Sequence, residues 1–344
     1  MSSLLALGAA VMTLGISAWM TGRLCDPDLR FQVFDVPNER SLHARPTPRS
    51  GGVAILVSVL AGGTAIAFGT AGSALFPWLL VSVLPVAVLA LLDDRGGVPA
   101  APRFLVHLAA AGLLVWGGGL TASHGLVPGL DTPPSSLIGG AMAFLFVVWM
   151  VNLFNFMDGM DGFAGGMAVI GFGSLAALAA AAGQSVLAAV SVVVAAAAGG
   201  FLPYNFPPAR IFMGDTGSST LGLLAAALTL WGTREGAFPF WVGILVFSPF
   251  IADASVTLTR RLLHGERVWV AHKTHYYQRL VQLGWGHRKT VLAEYVLMIS
   301  CGVSALLATR MGTGGQWLLI GFWAFGYAAL MAGVSRLEKR AAQE

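Results

Sequence analysis

The stretch from Asn152 to Gly162 reads Asn-Leu-Phe-Asn-Phe-Met-Asp-Gly-Met-Asp-Gly, setting two amides and two carboxylates, Asn152, Asn155, Asp158 and Asp161, at intervals of three. Residues three apart share a helical face, so the four predict one polar stripe unless the glycines break it. They follow a long apolar run, where amides and carboxylates are too costly to be retained for packing alone. The stretch reads as one wall of a polar site at a membrane surface.

Other groups of reactive side chains follow apolar runs in the same way. Asp93 and Asp94 are adjacent, and two carboxylates with overlapping fields suit holding a divalent cation or taking a proton. Gly214-Asp215-Thr216-Gly217-Ser218 predicts a tight turn opening onto a helix, with a carboxylate and free N–H donors beside a positive helix terminus, a setting for a phosphate together with its metal. Phe212 offers a ring that could stack on a base, and Asn205 lies in the same loop as a further ligand candidate. His272 and His275 are three apart among Lys273 and Arg279; without a third soft ligand they suit phosphate better than zinc.

The loop from Asp35 to Gly52 is broken by prolines and glycines. Arg40, His43, Arg45 and Arg49 supply phosphate donors there, while Gly51 and Gly52 predict backbone N–H groups open to an anion at the next helix start. Asp253, inside a later apolar run, reads as a buried helper of the site or as the partner of a neighbour. His107, His124, His264 and His287 read as structural.

These groups need elements to position them, and composition says which kind. Of 344 residues, 56% are hydrophobic and only 10% charged, with a mean hydropathy of +0.75, which excludes a soluble two-domain chain and implies an all-α polytopic membrane protein. Apolar runs near the ~20 residues that cross a bilayer fall at 3–22, 51–69, 74–92, 104–121, 136–154, 163–183, 185–204, 217–232, 238–259, 290–309 and 316–335, giving about eleven spans. The first run has no basic residue before it and no cleavage site, so it reads as a retained helix.

Loops after odd-numbered runs hold 18 of the 20 Lys and Arg residues, leaving Arg234 and Arg310 for the other side. The positive-inside rule then puts the N-terminus outside and the C-terminus in the cytoplasm. The net charge of +4 is thus a topology signal and not a sign of nucleic-acid binding. Cys25 and Cys301 form neither a CxxC motif nor a disulfide framework. Every polar group lies on the cytoplasmic side in this arrangement, in loops at about 23–50, 93–103, 152–162, 203–218 and 260–289 of a single domain spanning 1–344. A transporter would instead place polar residues near mid-bilayer and on both approaches. One-sided convergence suits an enzyme joining a cytosolic substrate to a lipid.

Asp93-Asp94, Asn152-x-x-Asn155-x-x-Asp158-Gly-x-Asp161-Gly, Phe212-Met-Gly-Asp215-x-Gly-Ser and the His272-x-x-His275 loop, in this order along the chain, resemble the polyprenyl-phosphate N-acetylhexosamine-1-phosphate transferases of glycosyltransferase family 4. The resemblance covers nearly the whole chain. It implies transfer of N-acetylhexosamine 1-phosphate from a UDP-sugar to undecaprenyl phosphate, releasing UMP, with Mg²⁺ or Mn²⁺, at the bacterial inner membrane, and makes a homodimer reasonable. It implies that Asn155 and Asp215 hold the metal, that Asp93 and Asp94 deprotonate or position the lipid phosphate, and that Asp158 and Asp161 line the nucleotide pocket with Asn205 close by, while Asn152 binds substrate or only holds the turn in place. Phe212 would stack on uracil, and Arg49, His272 and His275 would contact the diphosphate or sugar. His272-Lys-Thr-His275 differs from the adjacent histidines of the peptidoglycan lipid I enzyme, which favours the branch that starts O-antigen or similar surface glycans. Synthesis of lipid I from the muramyl-pentapeptide donor is the alternative, and secondary transport of an anionic metabolite, which Asp253 inside an apolar run and the many glycines allow, is the alternative from another class.

Overall fold

The computed structural model describes residues 3–343 except 27, 30, 31, 38–40, 44, 71–73, 132, 134, 135 and 268–271. Arg40, one of the expected phosphate donors, lies outside the described residues. Each apolar run becomes helix, because a backbone in hydrocarbon must satisfy its own hydrogen bonds. In chain order the helices are α1 (Ser3–Leu24), α2 (Gly51–Gly69), α3 (Leu75–Gly96), α4 (Ala100–Gly112, continued by a π turn to Gly117), α5 (Leu137–Met157), α6 (Phe163–Ala181) and α7 (Ser185–Asn205). There follow α8 (Gly214–Arg234), α9 (Phe240–Val246), α10 (Ser248–Leu263), the short α11 (Tyr276–Leu280), α12 (Gly286–Ala308) and α13 (Thr313–Ala341). The chain is an all-α polytopic membrane protein.

Among the described residues, nine helices are long and apolar enough to cross a bilayer, with α11 and α12 counted together, and the pair α9–α10 makes a tenth span bent by 82°. The remaining expected run, α8, falls short on hydropathy, with Asp215, Thr216, Ser218, Ser219 and Thr220 in its first two turns. It has no need of a lipid-compatible surface: every residue from Thr216 to Thr233 is buried, and α8 packs against α2, α3, α5, α6, α7 and α9. Small residues let neighbouring backbones close on it. A Cβ on Gly222 would lie 2.9 Å from the Val151 Cα of α5.

Two short strands, β1 (Phe34–Asp35) and β2 (Thr47–Pro48), pair antiparallel in the first loop, Phe34 opposite Pro48 and Asp35 opposite Thr47. This ribbon steers the chain into α2. The glycines there do not leave N–H groups open to an anion, as the sequence predicts. Gly51 N donates to Phe212 O at 3.0 Å and Gly52 N to Met213 O at 2.8 Å. A Cβ on Gly52 would meet the Gly217 Cα at 2.6 Å, so the missing side chain lets the two helix starts touch.

Candidate active site

The site begins where the end of α3 meets the start of α8. Asp94 Oδ1 accepts from Asp215 N at 2.9 Å, and Oδ2 accepts from Thr216 N at 3.0 Å and Thr216 Oγ1 at 2.7 Å. A carboxylate at a helix N-terminus satisfies N–H groups that have no partner within the helix and meets the positive end of its dipole. The N–H donors expected to await a phosphate are therefore already taken by Asp94. Gly214 precedes them with φ +66, and a Cβ there would lie 2.8 Å from both Asp94 oxygens, so glycine is required twice over. Arg49 secures the junction: its Nε donates to Asp94 O at 3.2 Å, its Nη2 to Asp93 O at 3.3 Å, and Nη2 lies 3.3 Å from Asp94 Oδ1.

Asp93 and Asp94 are adjacent but face different ways. Asp93 accepts from Val98 N at 2.6 Å and pairs with Arg103 Nη1, which also reaches Asp215 Oδ2 at 3.3 Å. One guanidinium nitrogen thus bridges the carboxylates of α3 and α8. Asn155 lies against the Asp215 carboxylate, with its Nδ2 3.2 Å from Ser218 Oγ. Among the described residues no three acidic or histidine side chains are close enough to hold an ion unaided. Mg²⁺ is commonly held by one or two carboxylates, with water and substrate phosphates completing its shell. Asp215, Asn155 and Asp93 form such a hard-oxygen set, and their donor chemistry fits the ion.

The polar stripe of α5 fans out instead of sharing one face, because the helix ends at Met157 and the chain turns at Asp158 and Gly159. Asn152 Nδ2 donates to Val148 O at 2.7 Å, and its side chain meets His107 of α4. Asp161 accepts from Ala209 N at 2.9 Å and lies 3.1 Å from His287 Nδ1. Asn205 is buried and committed, accepting from Gly162 N at 3.0 Å and donating to Ile211 O at 2.9 Å. These bonds fasten the loop from α7 to α8 against the start of α6. Of the two stripe carboxylates, Asp158 is the one with no hydrogen-bond donor on it among the described residues. Burial, reinforced by the Asp215, Asp94, Asp35 and Asp161 carboxylates, pushes this group well above the usual carboxylate range.

The two loop histidines separate as well. Asp253 of α10 accepts from Tyr276 N at 3.0 Å and Tyr277 N at 3.1 Å, and lies 3.2 Å from His275 Nδ1. It caps α11 and holds the buried His275, which answers the question its sequence position left open. His272 is more exposed, its Nδ1 2.9 Å from Thr274 Oγ1, and its ring centre 4.8 Å from that of His275. Partial burial, with His275 and Arg261 nearby, lowers its pKa to about 4.

Two cavities meet in this arrangement. A polar cleft of about 290 Å³ is lined by Asp158, Asp161, His43, Phe212, Gln278 and His287, among others. Phe212 stands beside the His43 ring, with centres 5.0 Å apart, and His43 Nε2 is buried without a hydrogen-bond partner. An apolar cavity of about 800 Å³ runs between α3, α4 and α5, walled by Leu89, Phe104, Leu145, Trp149 and Phe156, with Leu258 of the tipped α10 closing it. Asn155 and Asp215 line both. Asn152 and Arg103 belong to the apolar cavity alone, and Arg49 to the polar cleft. Of the expected residues, Asp93, Asn155, Asp158, Asp161, Asn205, Phe212, Arg49 and Asp215 gather at these two spaces, while His272 and His275 line neither.

Arg103 and Gln278 join the site without having been singled out in sequence, and so does His287, which the sequence reads as structural but which lies 3.1 Å from Asp161 and lines the polar cleft. In the sequence Arg103 counts only toward loop charge, although its place ten residues after Asp93, across one short turn, brings it back to that carboxylate. No local spacing marks Gln278 or His287.

The chain is 35% identical over 285 residues to the probable undecaprenyl-phosphate N-acetylglucosaminyl 1-phosphate transferase of Bacillus subtilis, covering 81% of this chain and 78% of that protein. It is 32% identical to the decaprenyl-phosphate N-acetylglucosaminephosphotransferase of Mycobacterium leprae, over 86% of this chain and 80% of that one. It is also 32% identical to the phospho-N-acetylmuramoyl-pentapeptide-transferase of Geobacillus thermodenitrificans, over 73% and 80%. The model of glycosyl transferase family 4 matches residues 76–233, which run from α3 through α8 and include both acidic helix ends and the Asn152–Gly162 stretch. With that match and relatives of this identity over most of both chains, the protein belongs to glycosyl transferase family 4.

Proposed function

We propose that this protein transfers N-acetylglucosamine 1-phosphate from a UDP-sugar to a polyprenyl phosphate, releasing UMP and starting a lipid-linked envelope glycan. The carrying observation is that a polar cleft and an apolar cavity share Asn155 and Asp215, which offers a water-soluble donor and a lipid acceptor one meeting point. The names of the B. subtilis and M. leprae relatives, both N-acetylglucosamine 1-phosphate transferases, favour N-acetylglucosamine over the muramyl-pentapeptide donor. They also narrow the wider set of UDP-N-acetylhexosamines and their deoxy relatives. The concentration of Lys and Arg in loops on the site's side supports a cytoplasmic active site in the bacterial plasma membrane.

In this reading the isoprenoid lies in the apolar cavity with its phosphate at Arg103. The guanidinium, held between Asp93 and Asp215, orients the acceptor oxygen. The nucleotide occupies the polar cleft with uracil against Phe212, and the uncommitted Asp158 accepts from its hydroxyl or ring donors. An acceptor phosphate oxygen forms a bond to the sugar-bearing phosphorus, the bond from that phosphorus to the bridging oxygen breaks, and UMP leaves with that oxygen. Mg²⁺, held by Asp215 and Asn155 with Asp93 adjacent, would neutralise charge on the diphosphate. Asp94, Asn205 and His275 position these groups through backbone and side-chain bonds; His272, outside both cavities with its ring centre 4.8 Å from that of His275, serves the sugar or diphosphate as a neutral hydrogen-bonding group. Purified protein given undecaprenyl phosphate, Mg²⁺ and UDP-N-acetylglucosamine should release UMP. Folded protein that releases none from any UDP-N-acetylhexosamine would sink the assignment.

A further inference from the structure

Two more cavities meet on the far side of α11. Gln278 of that helix faces the polar cleft, whereas Tyr276 and Arg279 line a separate pocket of about 390 Å³ with Arg260, Arg261 and Lys273. Tyr276 also lines an apolar cavity of about 690 Å³ between α10, α12 and α13, walled by Leu280, Val296, Trp323 and Leu330. A basic pocket therefore opens onto an apolar one across a single tyrosine.

Four cations, Arg260, Arg261, Lys273 and Arg279, line the basic pocket against two carboxylates, Glu266 and Glu338, and guanidinium donors are left unmatched. Arg279 is buried and gives its Nε and Nη2 to Glu338, yet its Nη1 is buried with no hydrogen-bond partner. Arg261 pairs with Glu266 at 3.2 Å through Nη2, and its Nε is likewise buried without a partner. Arg260 is exposed and has no carboxylate within ion-pair distance among the described residues. Guanidinium donors left unsatisfied in a buried setting are costly, and a phosphodiester, with two non-bridging oxygens, matches them.

We propose that this paired cavity binds an anionic phospholipid, its phosphodiester on Arg260, Arg261 and Arg279 and an acyl chain between α10, α12 and α13. The lipid is preferred to a free anion because Tyr276 walls both the basic pocket and the apolar cavity, and Leu262 and Leu263, between the pocket residues Arg261 and His264, are 65% and 80% exposed at the end of α10. Among the described residues no Lys or Arg lines the apolar cavity, which keeps the phosphate on the guanidinium side of Tyr276. The site is separate from the transfer site and stands whatever sugar, if any, the protein transfers.

The test uses detergent-purified full-length protein and a fluorescent phosphatidylglycerol. Saturable binding of one lipid per chain is expected, displaced by unlabelled phosphatidylglycerol and not by phosphatidylcholine. Arg260→Gln and Arg261→Gln should each weaken it about tenfold or more, the loss of one charge-assisted contact. Arg260 is exposed, so Arg260→Gln keeps the fold, which an unchanged unfolding temperature verifies. Leu330→Trp, filling the apolar cavity, should weaken the lipid without altering displacement by inorganic phosphate. Equal displacement by phosphatidylcholine, or unchanged binding in both arginine variants, overturns the proposal. Displacement by inorganic phosphate as effective as by the lipid would show a free-anion pocket and overturn the lipid assignment.

Discussion

Asp94 accepts the backbone N–H of Asp215 at 2.9 Å, so the helix end bearing two acids is fastened to the helix start bearing a third. The spacing of the reacting groups is thus set by a cap buried in the bundle.

Asp94→Ala should therefore act first on stability. It strands the donors of Asp215 N, Thr216 N and Thr216 Oγ1, for an expected loss of about 2–4 kcal/mol. Asp93→Asn, at a carboxylate that meets one backbone N–H, Arg103 and the Asp215 side chain, should cost less stability and abolish UMP release. Thermal unfolding in detergent beside a UMP assay separates them; an unchanged midpoint for Asp94→Ala would refute the cap.

Arg103 stands between two carboxylates and competes with any cation for them. Arg103→Gln should lower UMP release about 10- to 100-fold, roughly 1.4–2.7 kcal/mol. It should also lower the Mg²⁺ concentration needed for half-maximal rate. A metal titration of both proteins checks this, and a raised requirement would mean that Arg103 does not oppose the ion.

Asp158 gives a pH dependence. Its pKa in the folded protein is raised by burial and by the surrounding carboxylates, so folding favours its protonated form. That contribution is complete below the ordinary carboxylate pKa and is lost as pH rises through the raised value. Without metal, stability should fall over this window as pH increases, while Mg²⁺ affinity rises because a further anion faces Asp215. Asp158→Asn should flatten both trends in unfolding temperature measured with and without Mg²⁺.

The two loop histidines should separate in the same way. His275→Ala removes a buried partner of Asp253 and should lower the unfolding temperature. His272→Ala should leave it unchanged and raise the donor KM several-fold. With a pKa lowered to about 4, His272 is neutral near pH 7, so that KM effect should not vary across neutral pH. A dependence following an ordinary histidine titration would contradict this.

Much of the architecture was legible because hydrocarbon allows few alternatives: each long apolar run could only be helix. The exception in hydropathy is α8, whose Thr and Ser residues are explained by neighbours on all sides, a relation between distant segments that no single window carries. The acidic clusters were legible from their cost. Their division of labour was not, because it depends on which way adjacent residues turn: Asp93 toward Arg103, Asp94 toward Thr216. Arg103 and His287 were missed for the same reason, since both meet their carboxylates only across the fold.

The 82° bend between α9 and α10 lays Leu258 against the apolar cavity, whereas among the described residues no part of either helix lines the cleft of Asp158 and Phe212. If the proposed reaction runs there, the two products depart by different doors: UMP backs out into water, and the sugar-bearing lipid slides away sideways in the plane of the bilayer. Neither has to wait for the other to clear the exit.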